Sequence, residues 1–109
     1  MRRVLVVEDE YQVALDLAAQ LRKLGCDVQL ANEPDSAMEL VRKRAPQIAF
    51  IDINLRGGFE GLDFAGEIAS ETNAETVFVT DYSIFDLYGR MPRHGPSMTI
   101  FKATCWNLC

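Results

Sequence analysis

Histidine is almost missing from this chain: there is one, His94, with no companion ligand nearby in sequence, so it reads as a surface residue. The three cysteines, Cys26, Cys105 and Cys109, fall at no paired metal-ligand spacing, which removes a structural zinc site. Their odd number points to free thiols in a reducing cytoplasm, not to a disulfide framework. No apolar run approaches the length of a membrane span, so no membrane role is expected. Arg2 and Arg3 followed by aliphatic residues resemble the start of a secretory signal, but the run stops at Val7 and acids follow at once. Positive charge is scarce as well. Eleven Lys and Arg against sixteen Asp and Glu leave a net charge of −5, which argues against nucleic acid as a partner. What the chain does have is core material. At 109 residues and 49% hydrophobic, it can bury a genuine core as one domain.

From Arg3 onward, short aliphatic runs alternate with helical patterns. Residues 4–7 form a buried strand, after which Val13, Leu17, Leu21 and Leu24 recur on one helical face. Gly25 sits where a left-handed C-terminal cap belongs. A second strand is expected at Asp27–Ala31, and Pro34 suits the first turn of a second helix with the face Ala37, Leu40 and Val41. Arg42, Lys43 and Arg44 complement that helix's dipole, and Pro46 stops it. Residues 48–51 give a third strand ending in Asp52, and Leu62, Ala65, Ile68 and Ala69 a third helical face. Residues 76–79 lead into Thr80, and Met98–Phe101 lead into Lys102. This alternation predicts an α/β fold, a doubly wound parallel five-stranded sheet covered on both faces.

Parallel crossovers are right-handed and bring every strand C-terminus to one edge, where open α/β sheets bind ligands. Glu8, Asp9, Asp52, Thr80 and Lys102 therefore converge: three carboxylates, a hydroxyl and an ammonium. Clustered carboxylates call for a hard divalent cation, and Mg²⁺ is the usual one when phosphate oxygens complete its shell. Lys102 and Thr80 offer the point charge and hydroxyl donor that a phosphoryl group needs. Glu10 reads instead as a first-turn residue favoured by the helix dipole. Gly57, Gly58 and Gly61 match neither a P-loop nor a dinucleotide fingerprint, and serve a turn. Phe85, Leu87 and Tyr88 read as core or interface packing.

With "VVEDE", "FIDINL", "VFVTD" and "IFK" in this order, the chain resembles a receiver domain of the two-component response-regulator family over nearly its whole length. The resemblance implies a flavodoxin-like receiver fold in a cytoplasmic signalling module without small-molecule turnover. It implies that Asp52 accepts a phosphoryl group from a phosphohistidine on a sensor histidine kinase or phosphotransfer protein. Mg²⁺ would be held by Asp9, Asp52 and the carbonyl of Asn54, with Glu8 directly or through water. Lys102 would neutralise charge on the phosphoryl oxygens, and Thr80 would swing toward the phosphorylated aspartate.

The chain departs from the family's pattern at four places. Ala103 stands where a cis-proline aims the lysine; a non-proline cis bond costs roughly 3 kcal/mol, so a trans link is expected. Thr99 replaces an aromatic residue, and the anionic Asp81 replaces a small one beside the phosphoryl site. The seven residues after Lys102 are too few for a fifth helix, so residues 1–109 read as a single, C-terminally short receiver domain. A sheet face left partly bare would be covered by Trp106 and Leu108 or, through homodimerisation, by a second subunit. Two functions stay open: a phosphoryl-accepting module of a phosphorelay, and a receiver-fold interaction module with impaired or absent switching. Metabolic enzymes of related fold fit poorly. A flavodoxin needs a hydroxyl-rich loop where Glu8 and Asp9 stand, and a haloacid-dehalogenase-like phosphatase needs an aspartate at Asn54.

Overall fold

The computed structural model describes residues 1–52, 55, 60–80 and 98–101, and in these residues strands and helices alternate along the chain. They are β1 (Arg3–Val7), α1 (Tyr11–Lys23), β2 (Asp27–Ala31), α2 (Pro34–Lys43), β3 (Ile48–Asp52), α3 (Glu60–Glu71), β4 (Glu75–Thr80) and β5 (Met98–Phe101). All strand pairs are parallel, in the order β2-β1-β3-β4-β5. The order reverses between β1 and β3, which makes the mouth between those strands the switch point of the sheet.

Continuous aliphatic runs suit strands buried on both faces, and the pleat sorts them into two cores. Leu5, Val7, Ile51 and Phe78 face α2 and α3, where they meet Val41, Phe64 and Ile68. Val4, Val6, Val28 and Val79 face the other way, toward Leu17 and Ala18 of α1. On that second face Ile48 and Phe50 are only half-buried.

Helix α1 ends in a complete Schellman arrangement. Gly25 takes φ +86°, its N–H donates to the Arg22 carbonyl at 3.0 Å, and the Cys26 N–H donates to the Leu21 carbonyl at 3.1 Å. The turn throws Leu24 outward. It is 80% exposed, although its spacing placed it on the apolar face, and the small residues Ala14 and Ala18 are buried there instead. In α2, Pro34 and Asp35 occupy the first turn and Arg42 and Lys43 the last, as the dipole favours. In α3 the buried stripe is Gly61, Phe64, Ala65 and Ile68, and Ala69 is exposed. The stripe is rotated from the predicted one because Phe64, the bulkiest side chain of the helix, fills the space over β3 and β4.

Expectations that concern Asn54, Gly57, Gly58, Asp81, Phe85, Leu87, Tyr88, His94, Lys102, Ala103, Cys105, Trp106, Leu108 and Cys109, and with them the fifth helix, lie outside the described residues. Among the described residues no helix is long and apolar enough to cross a membrane.

Candidate functional site

Parallel register brings the acidic residues together. Val7 of β1 pairs with Ile51 of β3, so the next residues along, Glu8 and Asp52, stand level at the carboxyl edge on the two strands that flank the switch point. Asp52 still belongs to β3 and pairs with Val79 of β4. Its backbone is thereby held in the sheet, and the residue is 2% exposed. Glu8 lies one residue past β1, and its N–H donates to the Ala31 carbonyl at 3.0 Å, which continues the β1–β2 ladder into the site.

Glu8 and Asp9 are adjacent in sequence yet unlike in environment: Glu8 is 4% exposed and Asp9 is open to solvent. The Glu8 Oε1 atom accepts the Glu10 N–H at 3.0 Å, and this draws the chain round into α1. Glu10 is the N-cap of that helix, exposed and making no side-chain cap of its own. Sequence patterning had no means to find this. A carboxylate that ties the following turn looks, as a string of letters, like a neighbour that does not.

One oxygen from each of Glu8, Asp9 and Asp52 lies within 4.8 Å of the others. The donor set is all carboxylate oxygen, which suits a hard cation such as Mg²⁺ or Ca²⁺ and gives zinc none of the nitrogen or sulfur it favours. Three carboxylate oxygens this close together could share one such cation. The residues fit the group. Beside the cluster an open cleft of about 330 Å³ extends past Tyr11 to Asn32 and Ser36.

The remaining predicted residues divide by position. Thr80 ends β4 at the same edge, one residue past the Asp52–Val79 pair, and its own strand partner is Phe101. Phe101 ends β5 immediately before Lys102. Lys102 and Asn54 lie outside the described residues.

Comparison with known proteins agrees with this arrangement. The family described as the response regulator receiver domain matches residues 4–104. The transcriptional regulatory protein PdtaR of Mycobacterium tuberculosis is 38% identical over 102 residues, which are 93% of this chain and 49% of that protein. The chain thus spans about half the length of that relative. Among solved structures, the receiver domain of the Erythrobacter litoralis response regulator PhyR superposes with a TM-score of 0.80 at 30% identity, over 93% of this chain and 78% of the other. The BeF3-activated N-terminal receiver domain of Klebsiella pneumoniae RstA gives 0.80 at 25% identity, over 92% and 85%.

Proposed function

This chain belongs to the response regulator receiver domain family, and on that premise we propose that it accepts a phosphoryl group on Asp52 and signals by protein contact. The observation that carries the proposal is the Glu8, Asp9 and Asp52 cluster at the switch point of the sheet, with Asp52 buried and its backbone paired. A nucleophile needs a fixed approach, and a strand-end residue held in the sheet keeps its carboxylate in place without further ordering.

In the proposed reaction a carboxylate oxygen of Asp52 attacks phosphorus of a phosphohistidine on a sensor histidine kinase or phosphotransfer protein. The P–N bond breaks, and the imidazole leaves with the electron pair and takes up a proton. Glu8, Asp9, Asp52 and the carbonyl of Asn54 would hold Mg²⁺, which when bound supplies charge neutralisation for the phosphoryl oxygens. Lys102 would add a second positive charge from the end of β5. Burial of Asp52 keeps bulk water from competing at its carboxylate. Thr80 would bond to a phosphoryl oxygen only once the group is in place, and a contact present in one state alone shifts the population toward that state. Turnover of a small molecule is not part of this function.

A second reading, an interaction module that no longer switches, rests on Asp81 directly after Thr80 and on Ala103 after Lys102. An anion beside the acceptor opposes phosphate by Coulomb repulsion. Intact mass after incubation with acetyl phosphate and Mg²⁺ separates the two readings. The proposal expects a labile phosphoryl adduct that disappears in the Asp52→Ala variant and in EDTA. A folded protein that takes up no phosphoryl group would refute it and leave the interaction module.

A further inference from the structure

Burial and backbone pairing treat the three carboxylates of the cluster unequally. Asp52 is buried and sits in the β3–β4 ladder, and Glu8 is buried just past the end of β1. Asp9 is exposed, so burial does not hold it in place. The backbone on either side of it is held instead. Before it, the Glu8 N–H donates to the Ala31 carbonyl at 3.0 Å and ties the chain to the end of β2. After it, the Glu10 carbonyl accepts the Ala14 N–H at 3.0 Å in the opening turn of α1. The Glu10 N–H donates to the Glu8 Oε1 atom, also at 3.0 Å. Asp9 is thus the middle of a short link whose two ends are joined through the Glu8 side chain.

The sequence of α1 explains why that bond falls to Glu8. Glu10 is the N-cap of the helix. In a capping box, a Glu or Gln at the third helical position reaches back to the N-cap N–H. Here that position is Val13, whose side chain has no acceptor, and the first turn carries no acidic residue. Glu8 supplies the acceptor from the strand side. It does so from a buried position, where a charge-assisted hydrogen bond is strengthened by the low local dielectric.

We propose that Glu8 is a positioning residue for the cation: by gripping the Glu10 N–H it fixes the backbone of Asp9, and with it the Asp9 carboxylate, for metal binding. This rests on the reading of Glu8, Asp9 and Asp52 as a cation site, and it gives Glu8 a role that its negative charge alone does not supply. Hydrogen-bonding partners behind a metal ligand contribute on the order of ten- to a hundredfold in affinity. Binding free energies are also reciprocal. If the bond favours the cation, the cation favours the bond by the same factor, so an occupied site holds the entry to α1 more tightly.

The test is an NMR titration of the full chain with MgCl₂, which reads Kd from amide shifts and the hydrogen-exchange rate of the Glu10 amide in the same samples. Glu8→Gln keeps an acceptor oxygen and loses the charge, whereas Glu8→Met keeps a similar shape and loses both. The proposal expects Glu8→Gln to raise Kd several-fold and Glu8→Met to raise it about tenfold further. Without metal, the Glu10 amide should exchange faster in Glu8→Met than in Glu8→Gln. Saturating Mg²⁺ should slow that exchange about tenfold in the native protein and in Glu8→Gln, and leave it unchanged in Glu8→Met. Circular dichroism checks the fold, and Glu8→Ala replaces Glu8→Met should that variant not fold. Equal Kd values for Glu8→Gln and Glu8→Met would mean that Glu8 acts by charge alone; the positioning role then falls and the cation site stands. Exchange at Glu10 that ignores Mg²⁺ in the native protein overturns the positioning role as well. A native protein that binds no Mg²⁺ overturns both that role and the cation site on which the phosphoryl reading depends.

Discussion

Replacing Asp52 by its neutral isostere should make the metal-free protein more stable. Glu8 and Asp52 are 4% and 2% exposed, and the carboxylate oxygens of the cluster lie within 4.8 Å of one another. Like charges at about that separation repel by roughly 0.9 kcal/mol at the dielectric of water and about 3.5 kcal/mol at an effective dielectric of 20. Asp52→Asn removes the repulsion with Glu8 and the better-screened one with Asp9 while keeping the shape of the side chain. After relaxation, a gain of about 1–2 kcal/mol is expected, or a rise in Tm on the order of 5–10 °C for a chain of this length. The sign is the informative part, because most substitutions at a buried polar residue destabilise. Mg²⁺ should reverse the comparison. A cation bound by the native state alone contributes about 1.4 kcal/mol at ten times its Kd, and the asparagine variant has lost one carboxylate ligand. Urea titrations of both proteins in EDTA and in MgCl₂, with m compared to verify two-state behaviour, measure all four stabilities. A variant less stable than the native protein in EDTA, or an equal Mg²⁺ shift in both, refutes the reasoning that these carboxylates form one electrostatic unit.

Much of this architecture could be read from local signals, and the failures have definite physical causes. The second strand, Asp27–Ala31, emerged with its observed bounds because Gly25 before it and Pro34 after it punctuate the backbone itself. Helix faces were less legible, since periodicity counts large aliphatic residues while packing also counts small ones. Ala14 and Ala18 let α1 approach the sheet closely, and no hydrophobic pattern marks them as more important than Leu24. In α3 the spacing put Ala69 on the apolar face and passed over Phe64, yet Phe64 is buried and Ala69 exposed, because a phenylalanine gains far more from burial than an alanine. The acidic cluster was legible for a different reason. Strand-end positions in a parallel sheet are fixed by topology, so Glu8 and Asp52 could be placed side by side before any contact between them was known. What topology could not give was the division of labour within the Glu8, Asp9, Glu10 run. Burial of Glu8, its bond to the Glu10 N–H and exposure of Asp9 depend on how the chain turns into α1.

Two stability measurements probe the local arguments. Gly25→Ala should cost about 1 kcal/mol in urea unfolding, since φ is +86° and a methyl group there would meet no heavy atom within 4 Å; the cost is one of backbone conformation alone, and an unchanged midpoint would show that the left-handed cap is not required. The orientation of α3 is tested by a pair of substitutions. Phe64 is 1% exposed in the core beneath α2 and α3, so Phe64→Ala should remove about 3–5 kcal/mol, while Ala69→Ser on the exposed face should stay within about 0.5 kcal/mol of the native protein. A small loss at Phe64 together with a large one at Ala69 would mean that the helix is turned toward the face its leucine and alanine spacing suggests. Asp52 ends β3, the strand α3 packs against, so a rotated α3 would rest differently on the strand that carries Asp52.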